Sequence, residues 1–237
     1  MIRGVNKALP ETHGSYHVHH HPSEAMLMGY ALGNLSAGFA LAVETHLAYC
    51  SQCRRDVALM AELGGTLIEE VAPAPMGDNA LDAALAAIEG NDDDTAITVK
   101  KAFGPSYHGA DPLPGPLGAF GDGPMEQLLF KKRAPGIANL PLMKERDGTY
   151  TRLLRIEGGK SVPQHTHTGI ELTVLLSGSY HDEVGVYGPG DFVEHDDTVR
   201  HQPIAGMGED CICLGVTEGP LRFSKPLYEV LKPFFPV

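Results

Sequence analysis

GKSVPQHTHTGIELTVLLSG, residues 159–178, is the stretch on which the reading of the fold turns. Glycines open and close it, His165 and His167 stand two apart, and Glu171 follows four residues later. On a strand, residues two apart share a face, so both imidazoles point the same way. Glu171 keeps that parity once the turn at Thr168-Gly169 is allowed for. Three ligand-type side chains therefore converge inside a barrel. His201, beyond the turn Gly188-Pro189-Gly190-Asp191, is placed to add a fourth from a neighbouring strand. Three imidazoles and a carboxylate suit Zn, Fe, Mn or Ni, and the sequence does not choose among them. A His-x-His pair alone would read as a solvated loop. The full spacing of glycine, histidine, glutamate and glycine argues against that. His181 and His195 read as surface residues.

The flanking sequence fits a barrel. Residues 125–237 show short strand-like runs between turn signals, with candidates at 126–132, 149–157, 170–177, 179–187, 191–195 and 210–217. Such spacing predicts a small antiparallel barrel or jelly roll. Cys211 and Cys213 share one face of the last run. As small apolar residues they suit a core; as a close thiol pair near the metal-type ligands they could respond to redox change.

Upstream lies a second constellation, His46-Leu-Ala-Tyr-Cys50-Ser-Gln-Cys53. Positions i and i+4 of a helix share a face, which aligns His46 with Cys50. A Cys-x2-Cys turn at the start of the next helix aims both sulfurs at one point. Imidazole and thiolate are preferred ligands of Zn²⁺, and a closed structural site needs four. His21 is the best candidate for the fourth, with His20 as its competitor. A thioredoxin-like redox pair is the rival reading, but it requires a strand that this segment lacks.

The segment is helical by pattern. Ser23 caps a helix through Leu32, and Ser36 caps a second through about Tyr49. Leu35, Phe39, Val43, His46 and Leu47 lie on one side of the second helix. A third helix runs from Ser51 to Leu63 or further. Residues 78–89 form a fourth, with the narrow stripe Leu81, Leu85 and Ile88, which suits packing on a partner as well as on its own domain. Residues 104–124 are dense in Gly and Pro and read as an irregular lead-in rather than a packed element. The organisation predicted is a loose His-rich arm over 1–22, a helical zinc-binding domain over 23–90, a linker over 91–124 and a metal-binding barrel over 125–237. The fold class is α + β in two domains.

Composition narrows the function. The chain of 237 residues is 43% hydrophobic and carries a net charge of −12. That is enough apolar content for a core. The acidity disfavours direct contact with nucleic acid or an anionic membrane. No apolar run is long enough for a membrane span, and the first residues lack the apolar centre of a secretory signal. A cytoplasmic setting follows, where thiols stay reduced. Residues 1–90 hold four Lys or Arg against ten Asp or Glu, a net of −6, which suits a basic partner.

Residues 159–178 match the first motif of the cupin superfamily at every fixed position. The second cupin motif is only partly met, with Val193 standing where many cupins place their last histidine, so that role passes to His201. Taken together, the two halves resemble the ChrR-type anti-sigma factors, in which a zinc anti-sigma domain precedes a cupin-like domain. The stretch from His21 to Cys53, the run Glu209-Asp210-Cys211-Ile-Cys213-Leu and the run Pro220-Leu-Arg-Phe223 carry that resemblance. It implies a partner, a sigma factor of the extracytoplasmic-function type, whose polymerase-binding surfaces the chain occludes. It also implies zinc at His21, His46, Cys50 and Cys53, holding the helical domain in its sigma-binding shape. The cupin-like domain, with a divalent metal at His165, His167, Glu171 and His201, would govern release on an oxidative signal such as singlet oxygen. Cupins often pair through exposed barrel edges, which admits a homodimer. The competing class is a cupin metalloenzyme of dioxygenase or isomerase type, and a third is a sensor that binds a sugar or an acid without chemistry.

Overall fold

The computed structural model describes residues 17–89, 113–120, 125 and 128–224. His13 and the charged break at Asn91–Asp94 lie outside them. Four helices come first: α1 (Glu24–Ala31), α2 (Ala37–Tyr49), α3 (Ser51–Glu69) and α4 (Ala80–Glu89). Ser23 caps α1 as its sequence suggests, its hydroxyl accepting from the Met26 N–H at 3.3 Å. Ser36 makes no such bond at the start of α2. The carboxylate of Glu145, far along the chain, accepts from the N–H groups of Ala37 and Gly38 at 3.0 and 2.9 Å instead. An acidic group at a helix N-terminus satisfies orphan donors and opposes the helix dipole favourably.

Eleven strands follow: β1 (Lys131–Ala134), β2 (Ile137–Lys144), β3 (Tyr150–Ile156), β4 (His165–Thr166), β5 (Glu171–Ser177), β6 (Tyr180–His181), β7 (Val186–Tyr187), β8 (Phe192–His195), β9 (Ile204–Ala205), β10 (Cys211–Thr217) and β11 (Arg222–Phe223). The main sheet has six strands in the order β1-β2-β3-β10-β5-β8, and the pairs are antiparallel. Smaller sheets β7-β6-β9 and β11-β4 complete the barrel. Strand β2 was absent from the sequence expectation, and the run 179–187 divides into β6 and β7 around Asp182–Gly185.

Side-chain parity divides the sheet into two faces. Leu172, Val174 and Leu176 on β5, with Ile212, Leu214 and Val216 on β10, pack against Phe39, Val43 and Leu47 of α2. The alternate residues Leu175, Cys211 and Cys213 face the barrel interior with Ile156 and Tyr180. Gly38 makes the close approach of α2 possible, since a Cβ there would sit 2.5 Å from Thr151 Oγ1.

Two expectations fail here. Residues 113–120 are not an irregular lead-in: they form a 3₁₀ turn over Gly115–Phe120, and buried Leu113 and Leu117 join the core around α2. Residues 17–22 are not a loose arm. The Asp191 carboxylate accepts from the N–H groups of His19 and His20 at 2.7 and 2.9 Å, and Phe192 N–H donates to the His20 carbonyl at 3.0 Å. Helices and barrel thus share one apolar core through α2. Helix α4 stands apart from it, with Leu81, Leu85 and Ile88 exposed, so its stripe has no cover on its own domain among the described residues.

Candidate metal centres

The first group forms where α2 ends and α3 begins. His46 lies in the last turn of α2, Cys50 joins the two helices, and Cys53 falls in the first turn of α3. His21 enters from the segment before α1. His46 Nε2 is 3.3 Å from Cys53 Sγ, and His21 Nδ1 is 3.5 and 3.4 Å from the sulfurs of Cys50 and Cys53. All four donor atoms lie within 4.8 Å of one another. Zn–S and Zn–N bonds of about 2.3 and 2.0 Å around a tetrahedron put donors about 3.5 Å apart, so the group fits one ion.

His20 takes a different path. Its Nδ1 lies 3.4 Å from Asp191 and its ring packs on Tyr187, which leaves His21 to face the cysteines. The other nitrogen of His46, Nδ1, donates to the Gly190 carbonyl at 2.7 Å, which directs Nε2 toward the group. Burial lowers the His46 pKa to about 4. Burial, together with the neighbouring Cys50 thiol, pushes Cys53 up to about 12. Without a cation burial therefore holds His46 and Cys53 uncharged, and a divalent ion would displace the Cys53 thiol proton.

The second group lies inside the barrel. His165 and His201 bridge backbone to backbone, each N–H donating to the other's carbonyl at 3.1 Å. His167 and Glu171 sit at either end of the turn into β5. These four side chains are buried and their donor atoms lie within 4.8 Å of one another. His167 Nε2 and His201 Nε2 are 2.9 and 3.5 Å from Glu171 Oε2, yet neither contact has hydrogen-bond alignment. Buried imidazole nitrogens aimed together at a carboxylate, without bonding it, are what a cation between them would satisfy.

Charge supports the same fit. Burial opposes ionisation of Glu171, but His167 and His201 outweigh it and hold the carboxyl well below its usual range. Burial lowers His165 to about 4, and its Nδ1 donates to the Pro163 carbonyl at 2.7 Å. Burial likewise opposes charge on His201, but Asp182 and Glu171 raise it to about 9.

Two residues of this centre escaped the sequence. Asp182 accepts from His201 Nδ1 at 3.0 Å and from the N–H groups of Val184 and Gly185. It fixes the ring that offers Nε2 to the site, the usual role of a carboxylate behind a ligating histidine. Asp182→Asn is expected to weaken barrel metal affinity about 10- to 100-fold, measurable by competition with a chelator while the helical group keeps its ion. His195, expected at the surface, is instead 5% exposed. It stands opposite Glu171 in the β5–β8 register, its ring 4.5 Å from that of His201. The alternation Val193 in, Glu194 out, His195 in was the available signal. His181 is exposed, as expected.

The chain is 37% identical over 221 residues to the anti-sigma-E factor ChrR of Cereibacter sphaeroides, covering 92% of this chain and 98% of that protein. It belongs to the ChrR family of anti-sigma factors. A family model described as the ChrR Cupin-like domain matches residues 124–222, which include the whole barrel group. The fold is similar to that in the crystal structure of Rhodobacter sphaeroides SigE in complex with the anti-sigma ChrR. The TM-score is 0.66, at 33% identity over 84% of this chain and 99% of the matched chain. The helical part followed by a cupin-like barrel is therefore the family's architecture. The ChrR relative is an anti-sigma factor. No described helix is long and apolar enough to cross a membrane.

Proposed function

We propose that this chain is a zinc-dependent anti-sigma factor: it sequesters a sigma factor of the extracytoplasmic-function type and releases it on an oxidative signal sensed with the barrel. The supporting observation is end-to-end similarity to ChrR, whose solved structure is a complex with SigE. The chain's own surface agrees. Leu59, Leu63 and Leu67 recur every four residues on α3 and are exposed, as are Leu81, Leu85 and Ile88 on α4. Two adjacent helices with uncovered apolar stripes, in a region of net charge −6, suit a partner with basic and apolar surfaces.

In this reading zinc at His21, His46, Cys50 and Cys53 supplies a cross-link between the segment before α1 and the α2–α3 corner. The chain's residues do the rest: His21 anchors α1, and Cys53 fixes the direction in which α3 leaves. The barrel group takes a divalent ion, with zinc first among the candidates and Fe, Mn or Ni open.

Purification of the full-length protein from its own host, under reducing conditions and without oxidative stress, is expected to bring down a sigma factor at about one per chain. Its absence would count against the whole reading. Replacing His165 and His167 together with alanine is expected to leave that complex intact while abolishing its release by an oxidant. Loss of the complex itself would assign the barrel group a structural role instead.

A further inference from the structure

The barrel interior holds a cation that the metal-type group does not use. Arg152 on β3 is only 3% exposed. Its Nη1 donates to Thr217 Oγ1 at 3.0 Å, and its guanidinium lies 5.4 Å from the centroid of the Tyr150 ring. No carboxylate among the described residues is within ion-pair distance of it. Arg155 on the opposite face shows the contrast, pairing with Asp210 at 2.6 Å. A guanidinium stays charged in proteins, and a buried charge is costly unless paired.

Parity explains where Arg152 points. Its neighbour Leu153 faces the helices, so Arg152, Leu154 and Ile156 face inward. There they line a cavity of about 40 Å³ whose polar wall includes His165, Glu171 and His201. The rest of the lining is mostly apolar and includes Leu154, Ile156, Val162 and Leu221. At about 10–15 Å³ per water, the space admits three or so water-sized groups.

The charges in this space do not cancel once a divalent ion is bound. The ion and Arg152 contribute three positive charges, and Glu171 and Asp182 two negative ones. The ligating imidazoles are neutral. One positive charge remains in a low-dielectric interior, and a monoanion would neutralise it.

We propose that the barrel is a receptor site for a small monocarboxylate, its oxygens engaged by Arg152 beside the metal-type group and its short hydrocarbon end against Leu154, Ile156 and Val162. A planar guanidinium fork matches a planar carboxylate. A tetrahedral dianion would overcompensate the single remaining positive charge, and the apolar lining leaves a bare halide unpartnered on one side. The proposal rests on the barrel group holding a divalent ion.

The test uses the full-length protein with its metal content counted in every sample. Formate and acetate are titrated by calorimetry, with chloride and sulfate as controls. Wild-type protein is expected to bind both carboxylates. Arg152→Gln is expected to bind them at least 10-fold more weakly at unchanged metal content, and Arg152→Lys, which keeps charge without the fork, to fall between. Should both variants fail to fold, ¹³C-labelled acetate on wild-type protein decides: transferred relaxation that disappears in the His165→Ala, His167→Ala protein supports the site. Equal binding by Arg152→Gln, equal competition by chloride, or no carboxylate binding to a chain carrying both ions would overturn the proposal. A wild-type chain with no barrel ion would overturn it too, and the metal count would place that failure in the underlying reading.

Discussion

Cys53→Ser is expected to empty the helical metal group and abolish capture of the sigma factor. Cys53 is the only buried residue of the nineteen in α3. Val57 and Met60 pack partly against the core and Arg54 donates to the carbonyls of Leu47 and Ala48, but none of these is fully buried. Its sulfur lies 3.3 Å from His46 Nε2 and 3.4 Å from His21 Nδ1, so it contacts two of the other three donors. A serine hydroxyl neither ionises near neutral pH nor offers a soft donor. Structural zinc brings roughly 10–16 kcal/mol to a small domain, so even a fraction of that exceeds the roughly 3 kcal/mol that corresponds to a 100-fold loss of affinity. Metal content is expected to fall from about two ions per chain to about one, and sigma binding to weaken at least 100-fold in a pull-down competition. Cys213→Ser is the control. Its thiol is buried inside the barrel but belongs to neither group of converging donor atoms. It should keep both ions and the complex. Full sigma binding by metal-depleted Cys53→Ser would show that the helices hold their shape without the ion.

What was legible in the sequence is what local periodicity encodes. A helix places His46 over Cys50, and a strand places His165 beside His167, so these pairs follow from spacing, whereas His21 and His201 come from elsewhere in the chain. What was not legible depends on register between distant segments. Nothing local to Asp182 says that its loop lies behind His201, or that His195 will stand opposite Glu171. The choice between His21 and His20 is made by Asp191, which captures two successive backbone N–H groups and turns one imidazole away from the cysteines. Glu145 in place of Ser36 at the head of α2 is the same lesson: a cap supplied from over a hundred residues away leaves no mark beside the helix. The linker reading failed over 113–120 because Gly and Pro also build tight turns that seat Leu113 and Leu117. Gly115, at φ 54°, approaches Ala48 so closely that a Cβ would lie 2.9 Å away.

Gly190→Ala is expected to loosen the helices from the barrel. Gly190 sits at φ 90°, and a Cβ there would lie 2.8 Å from both Tyr49 Cβ and Val18 Cγ2. Left-handed backbone at a non-glycine residue costs about 1–3 kcal/mol, and overpacking of a tight contact costs a similar amount. The combined loss of about 2–6 kcal/mol should appear as a lower denaturation midpoint. A second effect separates this substitution from an ordinary destabilising one. The Gly190 carbonyl accepts the His46 Nδ1–H, and the Phe192 ring packs 5.7 Å from that of His46. Three residues further along β8, His195 stands opposite Glu171 in the barrel group. The same short strand therefore touches both metal-type centres. Moving the turn at its head should weaken zinc at the helical group about 10- to 100-fold, as loss of an orienting partner does, while barrel metal affinity holds. It should also make sigma release less dependent on oxidant, because a barrel uncoupled from α2 can no longer hold or free it. Unchanged helical zinc affinity in a destabilised Gly190→Ala protein would show that the β7–β8 turn supports packing alone and carries nothing between the two sites.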